Sequence, residues 1–534
     1  MKAAKVVGKR VDLSLVRKPE DEVPLTSVAL RDQLRTHATT VAALMEAWAA
    51  RDEPVSFKDA ERALRAAVFA FARVALMLFL ALREKHVMRA HQPRVELEGR
   101  TFRQAPAITR SLATMFGVVR YARTYMREVG HGARHGFHPL DVALGLVGDR
   151  FSWNVLAMAA RLATKLSFGE ARATLASFVP NAPSTEVIEN AVLGLGRHTA
   201  AWFEQAPAPE GDGDVMVIMF DSKGAPTATE SELSRRRGKR RKRRMPASPR
   251  HRGRHRRGRY DKKPRRKKGD KSKNAKLATM MVMFTLKRHG GKLLGPINRK
   301  LYASFAPKKH AFAIARREAT KRGFGPGSGK LIQIVTDGDP DLATYTAEYF
   351  PTAMHTIDVI HVIEKLWTAG ECFLAEGSQP LRDWMDAQKD HLYAGEIDAI
   401  LAGLRQRFDA IARTGPGTKG KRERLFGVIR YLEKRVSKMP YDQLIKQDLE
   451  LGSGAVEGAV KNIIGKRCDH GGMRWIKERV EAIVQLRCIE ANGDWDRFVD
   501  FVHDRMRDGA QRDGTRRRLQ SSAPAPLPQL MAAA

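Results

Sequence analysis

The sequence predicts a multidomain protein built from α and α/β regions, and three observations lead there. Apolar residues recur at three- and four-residue spacing over residues 30–50 and 57–85, as on amphipathic helices. From Asp214 onward the pattern changes, and short apolar runs alternate with helical stretches, as in strands joined by crossover helices. At 534 residues with 43% hydrophobic content, the chain is long enough for more than one domain and apolar enough for real cores.

Taken in order, residues 1–90 read as a helical N-terminal region. Its most membrane-like stretch, residues 66–82, is interrupted by Arg73, and the uninterrupted part is too short to span a bilayer. A buried helix is expected there. Residues 112–127 read as a short β-hairpin around Gly117, and a helical block follows from about Pro139 to Gln205. Within it, helices at 167–178 and 184–196 flank Phe178-Val179-Pro180-Asn181-Ala182-Pro183, with Ser184, Thr185 and Glu186 able to cap the second. Such a pair is either core packing or a helix-turn-helix whose second helix enters a major groove. Residues 91–205 are therefore a candidate DNA-binding region.

The α/β region supplies candidate strands at 215–221, 277–286, 292–297, 331–337 and 353–358, with a helix at 305–322 before the fourth. Strand 277–286 is apolar along most of its length, as a strand covered on both faces would be. After His361 the pattern is helical to about Tyr431, and a linker then leads to Glu457. From Arg507 the chain turns polar and then Pro/Ala-rich, so a disordered tail is expected. The expected divisions are 1–90, 91–205, 206–361, 362–446, 447–506 and 507–534.

The net charge is +36, and residues 235–276 alone hold 24 Lys or Arg against Asp261 and Asp270. Arg240, Arg241, Arg243, Arg244, Lys267 and Lys268 stand in this stretch. Self-repulsion and the lack of apolar residues predict a disordered arm. It is either a solvated loop or an electrostatic clamp on nucleic-acid phosphates, giving affinity without sequence choice. Cys372, Cys468 and Cys488 form no CxxC pair, which argues against a zinc ribbon or a disulfide framework and suits a reducing cytoplasm. The basic first twenty residues contain no apolar core of a signal peptide.

Three acids carry the chemistry. Asp221 ends the run Val215-Met216-Val217-Ile218-Met219-Phe220, and Asp337 ends Leu331-Ile332-Gln333-Ile334-Val335-Thr336. Strand ends are where an open α/β sheet places functional groups, although a lone Asp there is more often a turn or a cap. Glu457 lies in Gly452-Ser453-Gly454-Ala455-Val456-Glu457-Gly458-Ala459-Val460, among small and apolar neighbours where a carboxylate is costly without a cation. Its bland alternative is a surface pair with Lys461.

Asp339, just before Pro340, competes with Asp337 but is better suited to capping the next helix. Asp358 and His361 bridge a strand end and a helix start, either as cap and core histidine or as support for the acids. Two patterns are set aside. Gly323 to Lys330 lacks the P-loop spacing and precedes a strand, and His131, His135 and His138 lack a fourth zinc ligand.

These residues together resemble a known family. A first Asp after a strand, Asp-Gly after a later one, Asp-x-x-His-Val-x-Glu-x-Leu-Trp, a helical stretch and Gly-x-Val-Glu-Gly-Ala are similar to bacterial insertion-sequence DDE transposases. The closest resemblance is to the Kra-type group, with Mutator-like relatives. Phe137-His138-Pro139-Leu140-Asp141-Val142-Ala143-Leu144-Gly145-Leu146 and Glu490-Ala491-Asn492-Gly493-Asp494-Trp495-Asp496 extend the likeness over roughly residues 110–505.

The resemblance implies an RNase H-like α/β core interrupted by an all-helical insertion. It makes Asp221, Asp337 and Glu457 the ligands of two Mg²⁺ or Mn²⁺ ions, with Asp358 and His361 in support. It implies cleavage of element ends and their joining to target DNA, by a homodimer or higher multimer associated with the bacterial nucleoid. Lys461, Arg467 and Arg474 would meet scissile-strand phosphates, and Trp475 would either stack on a base or sit in the core. A basic arm this long departs from the family pattern. A structure-directed nuclease on the same core, or a catalytically silent DNA-binding relic, remains the alternative.

Overall fold

The computed structural model describes residues 26–51, 56–89, 92–97, 99–131, 136–146, 150–234, 275–470 and 473–513. The basic residues Arg240, Arg241, Arg243, Arg244, Lys267 and Lys268 lie outside these. The chain divides into two compact units, one made by residues up to Ala191 together with 499–513, the other by Val192–Phe498. The expected limits at 90 and 205 are therefore not unit boundaries.

In the first unit, helices Ser27–Ala49 and Phe57–Arg89 precede four antiparallel strands in sequential order. These are β1 (Arg94–Leu97), β2 (Arg100–Thr114), β3 (Gly117–Glu128) and β4 (Gly136–Phe137). The hairpin expected at 112–127 is thus the tip of a longer ribbon. Its turn pairs Thr114 with Gly117, whose φ of 114° suits glycine. Arg73, the charge that interrupts the apolar helix, packs over this turn: a Cβ on Gly117 would meet its Cδ at 3.0 Å.

Leu80 and Val87 of the long helix share a core with Leu112, Val119, Tyr121 and Leu140, which is why the two expected regions fuse. Phe57–Arg89 is the one described helix long and apolar enough to cross a membrane, by length and composition alone. It is not the fully buried helix expected. Val74, Leu80 and Val87 are buried, but Phe79 and Leu82 are exposed, because the small sheet covers only one stripe of the helix. Helices Phe168–Phe178 and Thr185–Gly196 form as anticipated, the first with a Ser167–Glu170 capping box.

The second unit holds a five-stranded mixed sheet of order β7-β6-β5-β8-β9. The strands are β5 (Val215–Pro226), β6 (Ala275–His289), β7 (Lys292–Ser304), β8 (Leu331–Thr336) and β9 (Met354–Ile357). β6 is antiparallel to β5 and β7, whereas β5, β8 and β9 run parallel. All five strands were legible, but β5, β6 and β7 each extend beyond the apolar run that revealed them. β5 continues past Asp221 because its pairing with β6 persists to Pro226 opposite Ala275.

Helix Lys308–Lys321 packs on the sheet through Phe312, stacked on Phe220 at 3.9 Å between ring centroids. After β9 and helix Val359–Gly370, four helices intervene: Gln379–Tyr393, Ile397–Ala410, Thr418–Glu433 and Tyr441–Lys446. The chain then returns to the sheet at Glu450. Its last described helix, Trp495–Asp513, runs past the point at 507 where a disordered tail was expected. Residues 514–534 lie outside the described set.

Candidate metal centre at the strand ends

Register brings the acids together. Phe220 of β5 pairs with Thr336 of β8, and Thr336 pairs with Ile357 of β9. The next residue on each strand is Asp221, Asp337 and Asp358. Three carboxylates therefore stand in one row at the carboxyl edge of three neighbouring parallel strands, where α/β sheets place ligands.

Glu457 comes back to this row through a pinned return segment. The buried side chain of Gln333 donates to the Glu450 carbonyl at 2.7 Å and accepts from the Glu450 amide at 3.1 Å. This explains a polar residue inside an otherwise apolar strand. The Val359 amide then donates to the Leu451 carbonyl at 3.0 Å. Ser453 begins the helix Gly454–Ala459 but gives its hydroxyl to Asp358 instead of capping.

Donor atoms of Asp358, His361 and Glu457 all lie within 4.8 Å of one another, so these three can hold a metal ion. Glu457 itself is exposed, which corrects the expectation of a carboxylate trapped among apolar neighbours. Val456 and Ala459 turn into the core, while Gly454, Ala455 and the Glu457 carboxylate stay exposed. The following turn, Val460–Gly465, is a π-helix, a widening that often marks functional sites.

Electrostatics tie the remaining acids to this group. Burial pushes the Asp221 carboxyl above its ordinary range, and Asp337 and Glu457 add to the push. The Ser222 amide, donating to it at 2.5 Å, and His361 pull the other way. Asp337 accepts from the Asp339 amide at 2.9 Å.

The competition between Asp337 and Asp339 has a structural answer. Asp339 caps helix Pro340–Tyr349 and pairs with Lys308 at 2.6 Å, so its charge is already matched. Asp358 is fully buried and also caps helix Val359–Gly370, accepting from the Ile360 amide at 2.8 Å. Asp358 therefore caps this helix and also stands in the group with His361 and Glu457. His361 has Nδ1 3.2 Å from Glu364 Oε2.

Of the candidate DNA contacts, Lys461 and Arg474 are exposed. Arg467 and Trp475 are not. They are 3% and 7% accessible, with the guanidinium 4.7 Å above the indole ring. The Trp475 indole N–H donates to the Cys468 carbonyl, and its backbone N–H donates to Pro226 at the end of β5. Both side chains help build the wall of the unit and present no open face to phosphate or base. His131 lies 3.6 Å from Glu128, and His138 bonds the Thr124 carbonyl. His135 lies outside the described residues.

Sequence reading missed Gln333, Ser453, Tyr431 and Arg435. Only Gln333 left a trace, as a polar break in an apolar run. Tyr431 donates to the Asp337 carbonyl at 3.1 Å, and Arg435 donates to the Gly338 carbonyl. No protein-family model matches this chain, and no curated protein matches it either.

Proposed function

We propose that this chain is a bacterial insertion-sequence DDE transposase, cutting DNA at the ends of its mobile element and joining those ends to target DNA. The row of Asp221, Asp337 and Asp358, with Glu457 returned beside it, carries the reading. The sheet order, the antiparallel β6 and the helical block between Asp358 and Glu457 support an RNase H-like core with an insertion.

The donor set fits hard divalent cations, being carboxylate oxygens with one imidazole. The charges of Asp337 and Glu457 beside Asp221 are what a bound cation would offset. Two Mg²⁺ or Mn²⁺ ions, when bound, would activate a water or a DNA 3′-hydroxyl and stabilise the leaving 3′ oxygen. The chain's own part is positional. Asp221 and Asp337 present carboxylates from fixed strand ends, and exposed Glu457 closes the group from the helix. Asp358, engaged by Ser453, holds the return segment in place. Lys461 and Arg474 are free of burial and suited to phosphates. With +22 net charge between residues 235 and 276, the arm would add sequence-independent affinity. Two ends processed together call for a dimer or larger assembly on DNA, in the bacterial cytoplasm.

The test is Mg²⁺-dependent cleavage and strand transfer on DNA carrying the element's own ends, wild type beside Glu457→Gln. Chemistry lost only in the variant supports the reading. Cleavage without joining would indicate a structure-directed nuclease, and binding without chemistry a DNA-binding relic. Deleting the arm as far as the start of β6, residues 235–274, should weaken binding to every DNA sequence and flatten its salt dependence.

A further inference from the structure

The helical block between His361 and Glu457 contributes no acid to the centre, yet its last turns reach the strand ends directly. Tyr431, in the final turn of helix Thr418–Glu433, donates its hydroxyl to the carbonyl of Asp337 itself. Arg435, four residues on, donates from Nε and Nη2 to the next carbonyl, that of Gly338, and from Nη1 to Tyr431 O at 3.0 Å. Its guanidinium lies 4.1 Å above the Tyr431 ring, so the two side chains brace each other. Tyr441 repeats the device one strand over, its buried hydroxyl donating to the carbonyl of Ile357, the residue before Asp358.

The fit against Asp337 is tight. Gly338 has φ +85°, and a Cβ there would meet the Tyr431 hydroxyl at 2.6 Å and Arg435 Nε at 2.9 Å. The backbone at Asp337–Gly338 thus has a left-handed turn with no room for a side chain, closed by two donors from a distant part of the sequence.

We propose that Tyr431 and Arg435 are positioning residues, through which the helical block fixes the turn carrying Asp337 and so sets the metal affinity of the centre. This rests on the metal-dependent reading above. Without the clamp, Asp337 still follows the end of β8 but its turn is free to relax, and misplacing one ligand weakens metal binding before it harms the fold.

The experiment titrates Mn²⁺ into the full-length protein without DNA, by electron paramagnetic resonance, for wild type, Tyr431→Phe, Arg435→Ala and Arg435→Lys. Melting temperatures are taken alongside, and cleavage is then measured against Mn²⁺ concentration. Tyr431→Phe and Arg435→Ala should each weaken Mn²⁺ binding on the order of fivefold, the scale of one hydrogen bond. The Mn²⁺ needed for half-maximal cleavage should rise in step, the rate at saturating Mn²⁺ should largely recover, and Arg435→Lys should restore part of the affinity. Unchanged Mn²⁺ affinity in both disruptive variants overturns the clamp while leaving the proposed function standing. Shifted affinity in a protein that never cleaves supports the clamp and overturns the transposase. A wild type that binds no Mn²⁺ overturns both.

Discussion

Two kinds of acid site in this molecule differ in how their charge is met. In the first unit, Asp141 is buried and surrounded by donors: Arg110 at 2.9 Å, Tyr121 at 3.1 Å and Arg123. In the second, Asp212 receives Nε and Nη2 of the fully buried Arg322, with Asn298 at 3.1 Å. At the carboxyl edge of the sheet, Asp358 and Glu457 gather with His361, and Asp221 feels the charges of Asp337 and Glu457. A buried carboxylate that serves the fold is paired within the chain, since an unpaired one is costly. Carboxylates clustered with each other leave their charge for something brought from outside. Lys308 illustrates the boundary: it neutralises Asp339 and Asp341 and leaves Asp337 alone.

The sharpest way to break this contrast is to neutralise members of each class. Asp221→Asn, Asp337→Asn and Glu457→Gln should each abolish cleavage, with DNA binding retained and melting temperature unchanged or raised. Loss of folding in these variants would show that the acids are structural after all. Asp141→Ala and Asp212→Ala should do the reverse, costing about 3–5 kcal/mol each by leaving arginines buried without their counter-charge. Denaturant melts check this, and near-wild-type stability would erase the distinction.

The pH dependence should separate the classes further. Burial alone would raise Asp212, but hydrogen bonds from Arg322 and Asn298, together with the Arg322 charge, outweigh it and hold it below the usual carboxylate range. Its contribution is therefore complete above the ordinary carboxylate pKa and lost as pH falls through the lowered one. Melts of Asp212→Asn across the acid range should show a flatter slope than wild type. The smallest effect is expected at Asp339, where Asp339→Ala removes a helix cap worth about 1 kcal/mol and should leave cleavage measurable. If cleavage vanished there with the fold intact, Asp339 would be a ligand and the matched charge on Lys308 irrelevant.

Much of this was legible because strands announce themselves through apolar runs. Asp221 and Asp337 each follow such a run, Asp358 follows the shorter and more polar Met354–Ile357, and their one-row alignment needs only the strand register. The reach of β5 past Asp221 was hidden, since residues beyond the run are held by pairing with β6 and not by their own hydrophobicity. The long helix misled in the other direction, because its composition reports apolar character but not how much surface its neighbours can cover. Arg467 was misplaced for a similar reason, and of the two roles left open for Trp475 the core one held: sequence shows a cation and an aromatic ring, while burial depends on what packs over them.

By itself the sequence determined the element types, the strand-end acids and the basic character of the chain, all of which are local properties of residue pattern. Only the tertiary structure decided that Gln333 and Ser453 bring Glu457 home, that Lys308 removes Asp339 from contention, and that Tyr431 and Arg435 brace Asp337 from nearly a hundred residues away. Each is a directional hydrogen bond or ion pair between distant segments, and such partners leave no periodicity in the chain to read.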